Sequence, residues 1–482
     1  SQLLQQDIQR FQETIWLNRS FSSNVPADYR TMQLGIFTAL KELSGKASAL
    51  YGGTAGIGVA LSDSLSWQYG SGTMADDNTG TGFYGMTVPL IEKGIPITIP
   101  SLEQVKTAAD LAGLKVLILS YDCQKPLSPA TNQAIADWVT AGGVLLYLGG
   151  KDDYSSLSGT WWKDAGKTPM TDLFARLGLT GVSTGNVLSG SSLSWKGESG
   201  FGSNLNGASL SSANRSYSYH FSGSGFTTIL KAGLLGNYNL GIQADAGQGK
   251  VIAVGLPSSI YGTSSKGPDM LRDLVKYAVS FTDSSYLESD LMAIQRGNYI
   301  AAQATGPDQL LNGPFLDLFD ESLSIVGQKR IPSGSHAFLK DISVYQTAGT
   351  PRLVHTGGLL QGSVSETTAA TTFTVTGPDN SLFSTRILGN GKTPQQISVT
   401  AGGKEYHEYY SQWDNASGSL LLGIDGEAST VLTVTVTWGT TAVPDGQKMK
   451  YEETTVLTNN SNADAAYLVS NTAFANDSIR YC

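Results

Sequence analysis

The stretch Lys115-Val-Leu-Ile-Leu-Ser-Tyr-Asp-Cys-Gln-Lys-Pro-Leu-Ser-Pro129, followed by a helical pattern and then Gly142-Gly-Val-Leu-Leu-Tyr-Leu-Gly-Gly150, decides the fold. Two apolar runs without polar alternation read as strands buried on both faces. Between them Pro126 and Pro129 open a loop, and Ala134, Ile135, Trp138 and Val139 mark one face of an amphipathic helix. Strand, helix and strand in this order form a βαβ crossover in a parallel sheet. Ligands of such sheets bind beyond the carboxyl ends of the strands. The loops after Leu119 and Leu148 are therefore where function is sought.

Outward from this unit the alternation continues. Gly56-Ile-Gly-Val-Ala-Leu-Ser62 reads as a strand, the run from Thr81 to Gly94 as a helix with a glycine stop, and Ile95 to Ile99 as a second strand. A further helix is expected from Thr171 to Gly178, a returning strand at Gly249–Gly255 and a closing helix from Asp269 to Val279. Residues 180–247, rich in Gly, Ser and Asn, read as an insertion of short strands. After about residue 283 the period becomes two. Tyr299–Gln303, Phe315–Phe319, Ala337–Asp341, Ile342–Tyr345, Thr371–Thr376, Gln396–Thr400, Ser419–Ile424 and Thr430–Trp438 all read as short strands of antiparallel sandwiches. The expected fold class is α/β plus all-β: a parallel-sheet domain followed by one or two antiparallel β-sandwich domains. The boundaries are 1–47 helical, 48–282 α/β, 283–350 a small β domain and 351–482 a C-terminal sandwich.

The chain has 482 residues, enough for several cores, and a formal net charge of -9. That charge, without a Lys/Arg cluster, speaks against nucleic acid as a partner. No apolar run reaches the ~20 residues of a membrane span. The low charged fraction with abundant Gly, Ser and Thr fits an extracellular or cell-surface bacterial protein that handles carbohydrate, and a cytoplasmic reading stays open. Cys123 and Cys482, the two cysteines, make no disulfide framework. The chain starts inside a helical pattern (Leu4, Ile8, Phe11, Ile15), as would the C-terminal portion of a larger polypeptide. Residues 1–47 read as two helices separated by Asn24-Val-Pro26, the second running from Ala27 to Leu43 with Gly45 as its stop.

From about Gly56 to Ser280 the chain resembles the middle, trimerisation domain of family 42 β-galactosidases. The resemblance is carried by Asp63-Ser-Leu-Ser-Trp-Gln68, Phe83-Tyr-Gly-Met86, Leu119-Ser-Tyr-Asp122, Ala136-Asp-Trp-Val-Thr-Ala-Gly-Gly-Val-Leu145 and the strand Gly249-Lys-Val-Ile-Ala-Val-Gly255. It implies a flavodoxin-like fold of the class I glutamine amidotransferase kind for 48–282. It also implies that residues 1–47 are the tail of an upstream barrel, and that the β-domains resemble sandwiches of large glycosidases. Such enzymes carry two catalytic glutamates in a barrel. Eight βα repeats need about 250 residues, and only a handful are present, so no catalytic residue transfers to this sequence.

The residue types present bear on several chemistries. A Cys–His pair needs its nucleophile at a sharp strand-end turn. The turn after Leu148 is Gly149-Gly150, Cys123 lies one strand earlier, and His220 is in the Gly/Ser-rich segment, so this scaffold is expected to be inactive for amidotransfer. Carboxylate catalysis would need two groups ~5–10 Å apart. Asp63, Asp122, Asp152 and Asp153 all follow strands and offer themselves, although Asp in that position more often caps or turns the chain. Sugar contact would use Trp67, Tyr121, Tyr154, Trp161, Trp162 and Tyr261 for stacking and Asp63, Asp122, Asp152 and Asp153 as acceptors for sugar hydroxyls in one active-site rim, against the commoner role of such aromatics in packing. Tyr409, Tyr410 and Trp413 could line a glycan groove in the sandwich, or its core. His220, His336, His355 and His407 lack metal-ligand spacing, and the Gly-rich run Tyr51–Gly58 precedes a strand where a phosphate loop would follow one. No metal or cofactor is expected.

Taken together, these readings describe the non-catalytic C-terminal portion of a β-galactosidase-like glycoside hydrolase. It would serve oligomerisation, rim formation and glycan binding, with carbohydrate, an upstream catalytic barrel and copies of itself as partners. Two alternatives stand beside it: a stand-alone carbohydrate-binding or surface interaction protein on an inactive amidotransferase scaffold, and an independent hydrolase using the Asp residues of the sheet edge.

Overall fold

A computed structural model describes residues 26–43, 45, 48–49, 52–65, 78–122, 124–151, 153–187, 195–197, 218–232, 238–379, 381–427, 429–445, 448–450, 454–458 and 466–470. The first expected helix (Leu4 to Ile15), Cys123, Asp152, Trp67 and Cys482 lie outside them. The chain divides into two units, residues 50–292 and residues 1–49 with 293–482.

The first unit is α/β. In chain order it contains β1 (Ile57–Val59), α1 (Asn78–Ile91), β2 (Ile97–Thr98), β3 (Val116–Leu119), α2 (Pro129–Thr140), β4 (Val144–Leu148), α3 (Pro169–Arg176), β5 (Gly249–Val254) and α4 (Gly267–Val279). The five strands are parallel and lie in the order β2-β1-β3-β4-β5. Their continuous apolar runs are buried on both faces, with period two deciding the face. Val116, Ile118, Val144, Leu146, Ile252 and Val254 meet α1 and α4. Leu117, Leu119, Leu145, Tyr147, Val251 and Ala253 meet α2 and α3. From α4, Leu271, Leu274 and Val275 are fully buried, each contributing roughly 1.5–3 kcal/mol by transfer from water.

The Gly/Ser-rich segment, expected as an insertion of short strands, extends the parallel sheet. Tyr238–Ala246 pairs antiparallel with β5, and Tyr219–Gly223 and Val182–Asn186 follow outward, with Thr227–Ala232 also pairing Tyr238–Ala246. Segments too polar to bury their own core take their backbone partners from the free edge of β5.

Among the described residues the second unit is all-β with one α-helix. One antiparallel sheet runs through Ser48–Ala49, Leu291–Arg296, Tyr299–Ala304, His336–Asp341, Gln309–Asp317 and Ile325–Ile331. Two further sheets form a sandwich, closed by Leu353, Phe383, Ile387, Leu422 and Ile424 from one and Phe373, Val375, Val434 and Val436 from the other. Ile342–Tyr345, expected as a strand, holds instead the 3-10 helix Ser343–Tyr345: the Asp341 carboxylate accepts the Ser343 N–H at 2.9 Å and diverts the backbone.

The helix Ala27–Lys41 buries a stripe of small residues, Thr31, Gly35 and Ala39, against the strands Arg352–Thr356 and Ser381–Leu388. Thr31 donates to Leu382 O at 2.9 Å and Thr38 to Thr356 O at 2.7 Å. The helix stops at Lys41, before the expected Gly45. Gly45 turns the chain at φ +72° and its carbonyl accepts from Arg296. Just past the helix, Glu42 accepts hydrogen bonds from Tyr299 and from buried Lys340, whose ammonium lies 5.1 Å from the ring centres of both Tyr299 and Tyr345.

His355 Nε2 lies 2.8 Å from Gly35 O and 3.2 Å from the Thr38 hydroxyl. Burial, then the nearby Lys340 charge, lowers its pKa from 6.5 to about 4, against the opposing pull of Glu42. As pH falls from about 6.5 to 4, the unfolded chain gains a proton that the folded chain refuses. Stability therefore decreases across that window, by about 3 kcal/mol in total. The substitution His355→Gln, which keeps an N–H for Gly35, is expected to flatten that part of a denaturation-against-pH curve. An unchanged slope would show that His355 does not control it.

Candidate functional site

The loops leaving β1, β3, β4 and β5 share the carboxyl edge of the parallel sheet, and strand order reverses between β1 and β3. Polar side chains concentrate in these loops, forming two hydrogen-bonded groups.

The first group lies where β1 and β3 separate. Glu103, five residues beyond β2, accepts from the Ser62 hydroxyl at 2.6 Å, the Ser101 hydroxyl at 2.8 Å and the Asp63 N–H at 3.1 Å. Burial raises its pKa, but these donors outweigh burial and hold the carboxyl below its ordinary value. Ser62 is buried, its hydroxyl 2.6 Å from that of Ser64, and its N–H donates to Gln124 Oε1 at 2.8 Å. Gln124 in turn donates to Ala60 O and Ser120 O, bridging the ends of β1 and β3. Lys125, also buried, donates to Tyr121 O at 2.5 Å. The sequence reading passed over Ser62, Ser64, Glu103, Gln124 and Lys125. Looking for an acid after every strand, β2 included, would have found Glu103.

The second group centres on Asp122, just after β3. Its carboxylate accepts the Gly150 N–H (2.9 and 3.2 Å to the two oxygens) and the Ser258 N–H at 2.7 Å. One side chain thus ties together the ends of β3, β4 and β5. Beside it stand the buried phenols Tyr147, Tyr219 and Tyr261. Burial raises the pKa of all three, and the negative Asp122 raises it further. The turn after β4 is tight at its first glycine: a Cβ at Gly149 would sit 3.0 Å from Tyr147 Oη and 3.2 Å from Asp122 Oδ1, so either side chain would have to give by a few tenths of an ångström.

The proposed rim residues separate by exposure. Tyr121 and Tyr261 are 2% and 0% exposed, so neither offers a face to a sugar. The Tyr121 hydroxyl donates to the amide oxygen of Asn132, and Asn132 donates to Asp172 at 3.0 Å. Trp162 is buried, donating to Ser155 O, and meets Trp161 edge-on at 5.5 Å. Trp161 is half-buried and donates to Pro126 O at 3.0 Å. Tyr154 is exposed, as are Leu127 and Leu157 in the same two loops. Asp63 is exposed, and Asp153 opens the turn Asp153–Ser156. His220, the candidate base, lies on the sheet extension with its ring 5.0 Å from that of Tyr238.

In the sandwich, Trp413 is in the core and donates to Asn415 at 2.6 Å, while Tyr409 is half-buried against the same core. Half-buried Tyr410 lies across Gly423, where a Cβ would meet its ring at 2.1 Å. Among the described residues no group of three or more His, Cys, Asp or Glu is placed to hold a metal ion. No helix among them is long and apolar enough to cross a membrane. Two clefts open away from the carboxyl edge. One, of about 230 Å³, is lined by Met170, Phe174 and Val182; the other, of about 390 Å³, by Lys115, Trp138 and Asp283.

No family model and no curated protein matches the sequence. Among solved structures the chain is similar to the β-galactosidase of Bacillus circulans sp. alkalophilus, at 16% identity and a TM-score of 0.40, over 60% of this chain and 41% of that one. It is similar to a GH42 β-galactosidase of G. stearothermophilus at 15% identity and a TM-score of 0.38, over 60% and 40%. A cytoplasmic protein of Salmonella typhimurium LT2 matches at 13% identity and a TM-score of 0.30, over 47% of this chain and 98% of that one. The chain spans about two fifths of the length of the two β-galactosidases.

Asp172 offers a test of how rigidly this edge is held. It is buried and accepts from Asn132, Lys167 and Arg176, which together hold its pKa low against burial. Its contribution is present at neutral pH and is lost as pH falls through the lowered pKa. Asp172→Asn is expected to cost about 2–3 kcal/mol in denaturant melts at pH 7, with the deficit shrinking in acid. A deficit constant with pH would assign the loss to shape alone.

Proposed function

We propose that this chain is the non-catalytic C-terminal portion of a β-galactosidase-like glycoside hydrolase. Its α/β unit is a flavodoxin-like scaffold that mediates oligomer contacts and borders the active site of a catalytic barrel. The observation that carries this reading is the state of the carboxyl edge. Asp122 is committed to the N–H groups of Gly150 and Ser258, Glu103 to Ser62 and Ser101, and the turn after β4 has no nucleophile. The strand order β2-β1-β3-β4-β5 supports the flavodoxin-like assignment. The exposed apolar side chains Leu127, Tyr154 and Leu157, beside half-buried Trp161, supply the surface through which the scaffold meets a barrel and the sugar in it.

A second reading is a stand-alone carbohydrate-binding or interaction protein. One observation favours it: the helix Ala27–Lys41 is docked within this chain's own β unit.

Native mass spectrometry on protein purified without denaturant separates the two. The first reading predicts association with a barrel of about 250 residues or a homo-oligomer of chains that include one. A monomer of the 482-residue chain alone would sink it in favour of the second.

A further inference from the structure

Asp122 differs from an ordinary turn-capping aspartate in the reach of its bonds. An Asx turn closes on the backbone two residues on. The N–H groups on Asp122 belong instead to Gly150 and Ser258, 28 and 136 residues away. They come from two separate strand ends, engage both carboxylate oxygens, and lie in a region where Ser258 is 4% exposed. Beside them the Tyr261 hydroxyl is fully buried without a hydrogen-bond partner. Converging backbone donors at such a half-buried position recognise an anion without any basic side chain.

We propose that the Gly149–Gly150 turn and the Ser258 N–H form a small-carboxylate site that the chain fills with its own Asp122. When that side chain is removed, the site binds a free monocarboxylate of formate size. The site is then a latent ligand pocket at the carboxyl edge, closed in the native protein by an internal anion. This inference does not depend on the glycosidase reading, since it concerns binding by this chain alone.

The test compares melting of wild type, Asp122→Ala and Asp122→Asn in sodium formate and in sodium chloride at equal ionic strength. Asp122→Ala is expected to melt about 4–8 °C below wild type in chloride, and formate should recover at least half of that loss. Wild type and Asp122→Asn, whose pockets remain filled, should not respond to formate. Equal formate shifts in all three proteins, or none in Asp122→Ala, would overturn the proposal. If Asp122→Ala does not fold, amide exchange decides. In Asp122→Asn the Ser258 N–H faces an amide and is expected to exchange on the order of tenfold faster than in wild type. An unchanged rate would show that the carboxylate is not what holds it.

Discussion

A parallel sheet has its strand ends joined by crossovers, and nothing in the sheet itself fixes the loops that leave its carboxyl edge. In this protein one carboxylate supplies that constraint. Asp122 leaves β3 and takes up backbone N–H groups that follow β4 and β5. A charge-assisted bond to a backbone N–H is worth more than a neutral one, and leaving either donor buried without a partner would cost about 1–3 kcal/mol. These bonds hold the glycine turn after β4 and the Ser258 loop against the end of β3. Gln124 plays the matching role between β1 and β3 through three hydrogen bonds. At this edge the Asp122 carboxylate and the Gln124 amide both take backbone groups as their partners.

The parallel strands were readable because burial on both faces leaves an unmistakable mark: Val116–Leu119 and Val144–Leu148 have no polar residue to alternate with. Helix α2 was equally plain, with Ser128 before it and Pro129 as its first residue. The antiparallel extension was harder. Val182–Asn186 and Tyr219–Gly223 carry little hydrophobic signal, and their partner strands are set by the tertiary edge of β5. Ile342–Tyr345 has the composition of a strand, yet a local Asp341 hydrogen bond overrides it. The edge residues show the same division. Asp122 was legible as an acid after a strand, but its distant partners were not. Tyr121 and Tyr261 were legible as aromatics near that edge, and only packing shows that their rings are in the core.

The second unit depends on a different anchor. A short helix with a stripe of Thr31, Gly35 and Ala39 approaches two strands closely enough for threonine hydroxyls to reach strand carbonyls. Buried Lys340, held between two tyrosine rings and Glu42, secures its end. Sequence periodicity located the helix but said nothing of this clamp, because Glu42 and Lys340 are 298 residues apart, with the α/β unit between them in the chain.

If the carboxyl edge is scaffold, its best-placed carboxylate has no chemistry to perform. The most direct measurement is steady-state turnover of a panel of aryl glycosides by the purified chain beside its Glu103→Gln variant. The account predicts release of aryl alcohol no faster than in buffer for both proteins. Turnover by the wild-type chain that Glu103→Gln abolishes would contradict it and make this edge an active site.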